Sequence, residues 1–136
     1  MECSEEPSTD SGLKKALVLG GTQAHISLIQ ALQKMGFYTI LVDYYENPVA
    51  RPFADRHVQQ SALDPVGVFR IAREAAADLV ISTCSDQLNV VACQVSEQLG
   101  LPHPYSTATA LDVTHKLRMK QKMVAEGIPT AAFFCV

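Results

Sequence analysis

The sequence has no Lys/Arg run and a formal net charge of -3. Nothing in it neutralises a phosphate backbone by counterion release, so nucleic acid is not an expected partner. It has no apolar stretch of the roughly 18 to 20 residues that a membrane span needs. Its opening, MECSEEPSTDSG, is acidic where a signal peptide is basic and then apolar. A cytoplasmic protein with no membrane partner is expected. CxxC pairs are absent as well: Cys3, Cys84, Cys93 and Cys135 stand apart, which predicts reduced thiols with no metal or nucleophile role. Cys84 and Cys93 read as small buried hydrophobes, Cys3 and Cys135 as incidental thiols. His25, His57, His103 and His115 show no metal-ligand spacing. Charge is scarce, at 18% of residues against 48% hydrophobic, which excludes a heavily solvated, disordered chain.

What is present is alternation. Residues 1–12 carry Ser, Glu, Asp, Pro and Gly without periodicity and predict a disordered leader. LKKALVLGG then reads as a strand buried on both faces. TQAHISLIQALQKMG sets Ile26, Ile29, Leu32 and Met35 at helical spacing before Gly36. FYTILVD and ADRHVQQ predict two further strands, PVGVFRIAREAAA a helix opened by Pro65, DLVISTC a strand, and QLNVVACQVSEQLG a helix with Leu88, Val91, Ala92, Val95 and Leu99 on one stripe. TATALDV and THKLRMKQKMVAEG read as helices, and IPTAAFFCV as an apolar strand. Strands joined by crossover helices build a parallel sheet covered on both faces. The expected fold is α/β: a Rossmann-like, doubly wound domain over 13–105, followed over 106–136 by the two short helices and the apolar strand.

The glycine pair Gly20-Gly21 stands between the first strand and helix, and Asp43 follows about 20 residues on, as in a dinucleotide-binding unit. The fingerprint is incomplete, because Thr22 and His25 occupy its third and sixth positions. An NAD-dependent oxidoreductase is therefore disfavoured. Two readings of the turn stand: the helix start docks an anionic ligand group, or the glycines only permit a tight turn whose helix start Thr22 or Gln23 satisfies. Asp43 either accepts bonds from a ligand hydroxyl at the carboxyl edge of the sheet or caps the turn DYYENP. His25, in the first helical turn, reads as a neutral surface or packed imidazole.

The run VDYYENPVARPFADRHVQQSALD, with Asp43, Pro48, Ala50, Ala54 and Asp55, resembles the segment after strand two in ATP-grasp enzymes. ISTCSDQLNVVACQVSEQLGLPHPYSTATALDVTHKLRMKQKMVAEGIPTAAFFCV resembles the same family's passage into its nucleotide-binding region. In that family an Asp, a Lys or Arg, and a second Lys four residues later open the helix before a G-[IV]-P-x-x motif. Lys116, Lys120 and Gly127-Ile128-Pro129-Thr130 answer here, with His115 in the place of the Asp. STCSDQ, the Ala-containing helix and LGLP resemble the carbamoyl-phosphate synthase and biotin carboxylase type.

The resemblance implies the N-terminal domain of a ligase that uses ATP and Mg²⁺ to activate a carboxylate as an acyl phosphate, which an amine attacks. It implies that Lys116 reaches the ATP phosphates, a role suited to a flexible ammonium. It also implies that Gly20, Gly21, Thr22, Asp43, Thr83 and Ser85 face a small-molecule acceptor substrate. Acidic metal ligands and a phosphate-covering loop are expected beyond Val136, in a C-terminal ATP-grasp domain of the same chain. These 136 residues are then expected to be inactive alone, to hold no cofactor tightly, and to self-associate as a homodimer through 106–136. The alternative is a stand-alone Rossmann-like module that binds a nucleotide or sugar nucleotide without catalysis.

Overall fold

The computed structural model describes residues 12–134. The expected leader over 1–12 lies, except for Gly12, outside the described residues, as do Cys3 and Cys135. The chain runs β1 (Lys14–Leu19), α1 (Gln23–Lys34), β2 (Phe37–Asp43), a 3-10 turn (Arg51–Phe53), β3 (Arg56–Gln59), α2 (Pro65–Glu74), β4 (Leu79–Ile81), α3 (Asp86–Leu99), α4 (Thr107–Thr114) and α5 (Lys116–Ala125). The four strands form one parallel sheet in the order β3-β2-β1-β4.

Strand alternation divides the core in two. Ala16, Val18 and Leu41 point to one face and pack with Ile26, Ile29 and Leu32 of α1. Leu17, Leu19, Ile40 and Val42 point to the other, against Val68, Ile71 and Ala72 of α2 and Val91, Ala92 and Val95 of α3. This is the doubly wound architecture expected, since a strand covered on both faces must be apolar throughout. Each fully buried aliphatic side chain contributes roughly 1.5 to 3 kcal/mol. The chain winds outward from β1 to β3 and then crosses back to β4 on the other side of β1. The carboxyl ends of β1 and β4 therefore border a topological switch point, where ligands of open α/β sheets bind.

Thr39 at the centre of β2 is buried and lies before the β3 pairing, which begins at Ile40. Asp55 takes its place in the ladder: its Oδ2 accepts from Thr39 N (2.8 Å) and Thr39 Oγ1 (2.8 Å). The Ala-Asp pair of the resemblance thus has a structural role. At the end of α3, Glu97 Oε2 accepts from Thr107 N and Thr107 Oγ1, both at 2.7 Å, and ties α4 to α3.

Three expectations change. Met35 is 73% exposed rather than part of the α1 stripe, because it caps the helix C-terminus beyond the last turn that faces the sheet. β4 stops at Ile81, short of the expected Cys84, because Ser82 Oγ turns to donate to Leu19 O at 2.7 Å. Residues 128–134 form no strand. Pro129 lacks a ladder donor, and the segment lies against α5, where Lys120 Nζ donates to Thr130 Oγ1 at 2.8 Å and stands 5.9 Å from the Phe133 ring. α5 buries no residue.

Candidate functional site at the carboxyl edge of the sheet

Loops from β1, β2 and β4 meet at this edge. After β1, the backbone N–H groups of three successive residues find partners within the protein. Gly20 N donates to Val42 O (2.9 Å), Gly21 N to Asp43 Oδ2 (2.7 Å), and Thr22 N to His25 Nδ1 (3.2 Å). Thr22 Oγ1 lies 2.8 Å from the same imidazole nitrogen. Two donors at Nδ1 place the ring proton on Nε2. His25 Nε2 lies 3.5 Å from Ser82 Oγ, joining the β1 turn to the segment after β4. The ring is 2% exposed, and burial lowers its pKa from the ordinary 6.5, against the raising pull of Asp43 and of the Thr83 backbone. Of the two placements expected for this imidazole, surface or packed, the structure shows the packed one. Thr22, not Gln23, supplies the helix start.

The glycines are required by the protein's own packing. A Cβ on Gly20 would stand 2.7 Å from His25 Nε2 and 2.8 Å from Leu88 Cδ1, on a backbone with φ +98. A Cβ on Gly21 would stand 2.5 Å from Pro48 Cβ. Asp43 caps the turn that follows it, accepting Tyr45 N at Oδ1 (2.8 Å) in addition to Gly21 N at Oδ2. Ala50 N donates to Gly21 O at 2.9 Å, so the 44–50 loop is laced to the glycine turn.

Between these loops lies a hollow of about 220 Å³, lined by Gly20, Asp43, Ser85 and Leu88, by Tyr44 and Tyr45, and by Ser61, Ala62, Leu63 and Gln87. Of the residues named from sequence, Gly20, Asp43 and Ser85 face it; Gly21 and Thr22 support it from the β1 turn, and Thr83 from the β4–α3 turn. Ser85 caps α3 by accepting Leu88 N at 3.4 Å. Cys84 is exposed, not buried as expected: it sits beyond the sheet on that turn, in the left-handed region at φ 57, where non-glycine residues are uncommon. Cys93 is buried as expected. Lys116 is not brought to the hollow. A neighbouring depression of about 350 Å³ shares Leu63 and Gln87 with it and reaches Leu111, Thr114 and His115, and Lys116 lines neither. Among the described residues Arg118 pairs with Asp112, Lys122 with Glu126, and Lys120 with Thr130, while Lys116 is exposed at the start of α5.

Sequence reasoning missed Tyr44 and Tyr45, each 69% exposed and packed edge to face with centroids 5.6 Å apart. Two adjacent aromatics directly after the acid that ends a strand are the signal that could have revealed them.

No family model matches the sequence. The fold is that of the N-terminal domain of ATP-grasp ligases, and the sequence matches the corresponding part of such enzymes. It is 27% identical over 127 residues to formate-dependent phosphoribosylglycinamide formyltransferase of Leptothrix cholodnii, covering 89% of this chain and 30% of the relative. Phosphoribosylglycinamide synthetase of Anaerococcus prevotii superposes with a TM-score of 0.79 at 21% identity, over 90% of this chain and 31% of that one. N5-carboxyaminoimidazole ribonucleotide synthetase of Thermotoga maritima superposes at 0.72 with 22% identity, over 88% and 32%. The chain thus spans about 30% of the length of the curated relatives it matches.

Proposed function

We propose that the chain is the N-terminal, substrate-cleft domain of an ATP-dependent carboxylate-amine ligase of the ATP-grasp type. Gly20, Gly21, Thr22, Asp43, Thr83 and Ser85 build the acceptor-substrate edge. ATP and Mg²⁺ belong to a C-terminal domain that Lys116 approaches from its side. The observation that carries this reading is the hollow at the switch point, formed by the ends of β1, β2 and β4 in a fold that the amino-terminal parts of such ligases share. Residues 13–105 are the substrate-facing unit and 106–136 the passage onward; the absence of any buried residue in α5 supports that division. The carbamoyl-phosphate synthase and biotin carboxylase flavour rests on STCSDQ and LGLP; among the described residues no helix is long and apolar enough to cross a membrane.

The 136 residues are expected to be inactive alone, because acidic metal ligands are needed to hold Mg²⁺ on ATP and no cluster of three or more His, Cys, Asp or Glu is found among the described residues. With ATP and Mg²⁺ the isolated chain should release no ADP above background. ADP release that disappears in Lys116→Ala would overturn the reading. One observation favours the stand-alone binding module: α4 docks on α3 through Glu97 and the fully buried Ala110, so the unit closes its own core as far as α4.

A further inference from the structure

The charge of the hollow points to the class of ligand it takes, on the reading that it is the acceptor site. The three amides that a glycine turn offers to an anion are occupied by Val42, Asp43 and His25. Among the described residues that line it, Asp43 is the one charged group, and none is Lys or Arg. The N-terminus of α3, which would draw an anion, is met by Ser85 at its cap and Asp86 in its first turn. Arg51, on the neighbouring loop, is not among the residues that line the hollow; its Nη1 donates to Asn47 Oδ1 at 2.8 Å.

The same surface is well supplied with acceptors and ring faces. Each Asp43 oxygen takes one amide and keeps capacity for another donor. Tyr44 and Tyr45 present exposed rings beside that carboxylate, and an aromatic face attracts an ammonium group. At about 220 Å³ the hollow is below the usual range for a drug-sized ligand. We propose that it selects a small, hydroxyl-rich molecule carrying a protonated amine, and rejects one carrying a phosphate ester.

The test follows backbone amide shifts of this chain at neutral pH with three probes of one ring skeleton: glucosamine, glucose and glucosamine 6-phosphate. Glucosamine is expected to shift Gly21, Tyr45 and Leu88 at concentrations about tenfold or more below those that glucosamine 6-phosphate requires, as like-charge juxtaposition demands. Glucose should fall between them. Asp43→Asn should remove the advantage of glucosamine over glucose. Should that variant lose native shift dispersion, added salt on the unaltered chain gives the same reading, since a charge-based preference must shrink as salt rises. Equal or tighter binding of the phosphate ester at these amides overturns the charge selectivity and leaves the site in place. Shifts from none of the three probes at these amides overturn the site reading and the selectivity together.

Discussion

Replacing Asp43 with alanine removes one side chain that holds two loops. Its oxygens accept Gly21 N at 2.7 Å and Tyr45 N at 2.8 Å, the first part-buried and the second exposed. A hydrogen bond to a charged group contributes about 1.5 to 3 kcal/mol, and an amide left unpaired away from water costs a comparable amount. The exposed Tyr45 amide is re-solvated at little cost, so the Gly21 bond dominates, and the loss should be roughly 2 to 3 kcal/mol. Asp43→Asn retains one carbonyl acceptor and should lose about half as much. Urea unfolding followed by circular dichroism gives the stability change, and amide exchange at Gly21, Tyr45 and Ala50 shows where it falls. A loss under about 0.5 kcal/mol, with exchange at Gly21 unchanged, would refute the claim that this carboxylate fastens the site.

Three further outcomes follow from the same geometry. Gly21→Val should destabilise the domain itself, since even a Cβ meets Pro48 at 2.5 Å; native stability in that variant would show that the turn has room the structure denies. His25 binds a proton more weakly when folded than the ordinary 6.5 of an unfolded imidazole, so the stability it contributes is complete above that pH and declines as pH falls below it. His25→Gln should flatten that decline in a stability-versus-pH series, leaving the part of the same sign from His57, whose pKa burial also lowers; an unchanged slope would contradict the assignment. Val124, Ile128 and Phe134, the last 88% exposed, offer apolar surface that favours self-association; sedimentation should show mass rising with concentration, and a strict monomer with protected amides over 106–134 would count against it.

The fold was legible wherever burial imposes a pattern. β1 reads as apolar on both faces because α1 and α2/α3 cover it on both. The helix stripes failed at Met35, where the pattern continued past the last turn that faces the sheet. The end of the chain misled because apolar β-formers mark a strand only when a neighbour completes the ladder, and 128–134 has none. At the site, Gly20, Asp43 and Ser85 were readable from their places at strand ends. That Gly21 answers to Pro48, and Thr22 to His25, depends on contacts between loops that a linear pattern does not carry. Cys84 read as core because it adjoins an apolar run, yet the strand ends before it.

On the proposed function, this domain serves a ligase whose ATP site is built by a C-terminal domain of the same chain. The most direct measurement is to sequence the transcript through the codon for Val136 and onward. An open frame encoding a Gly-rich loop and acidic metal ligands is the predicted result. A stop codon immediately after Val136 would contradict it.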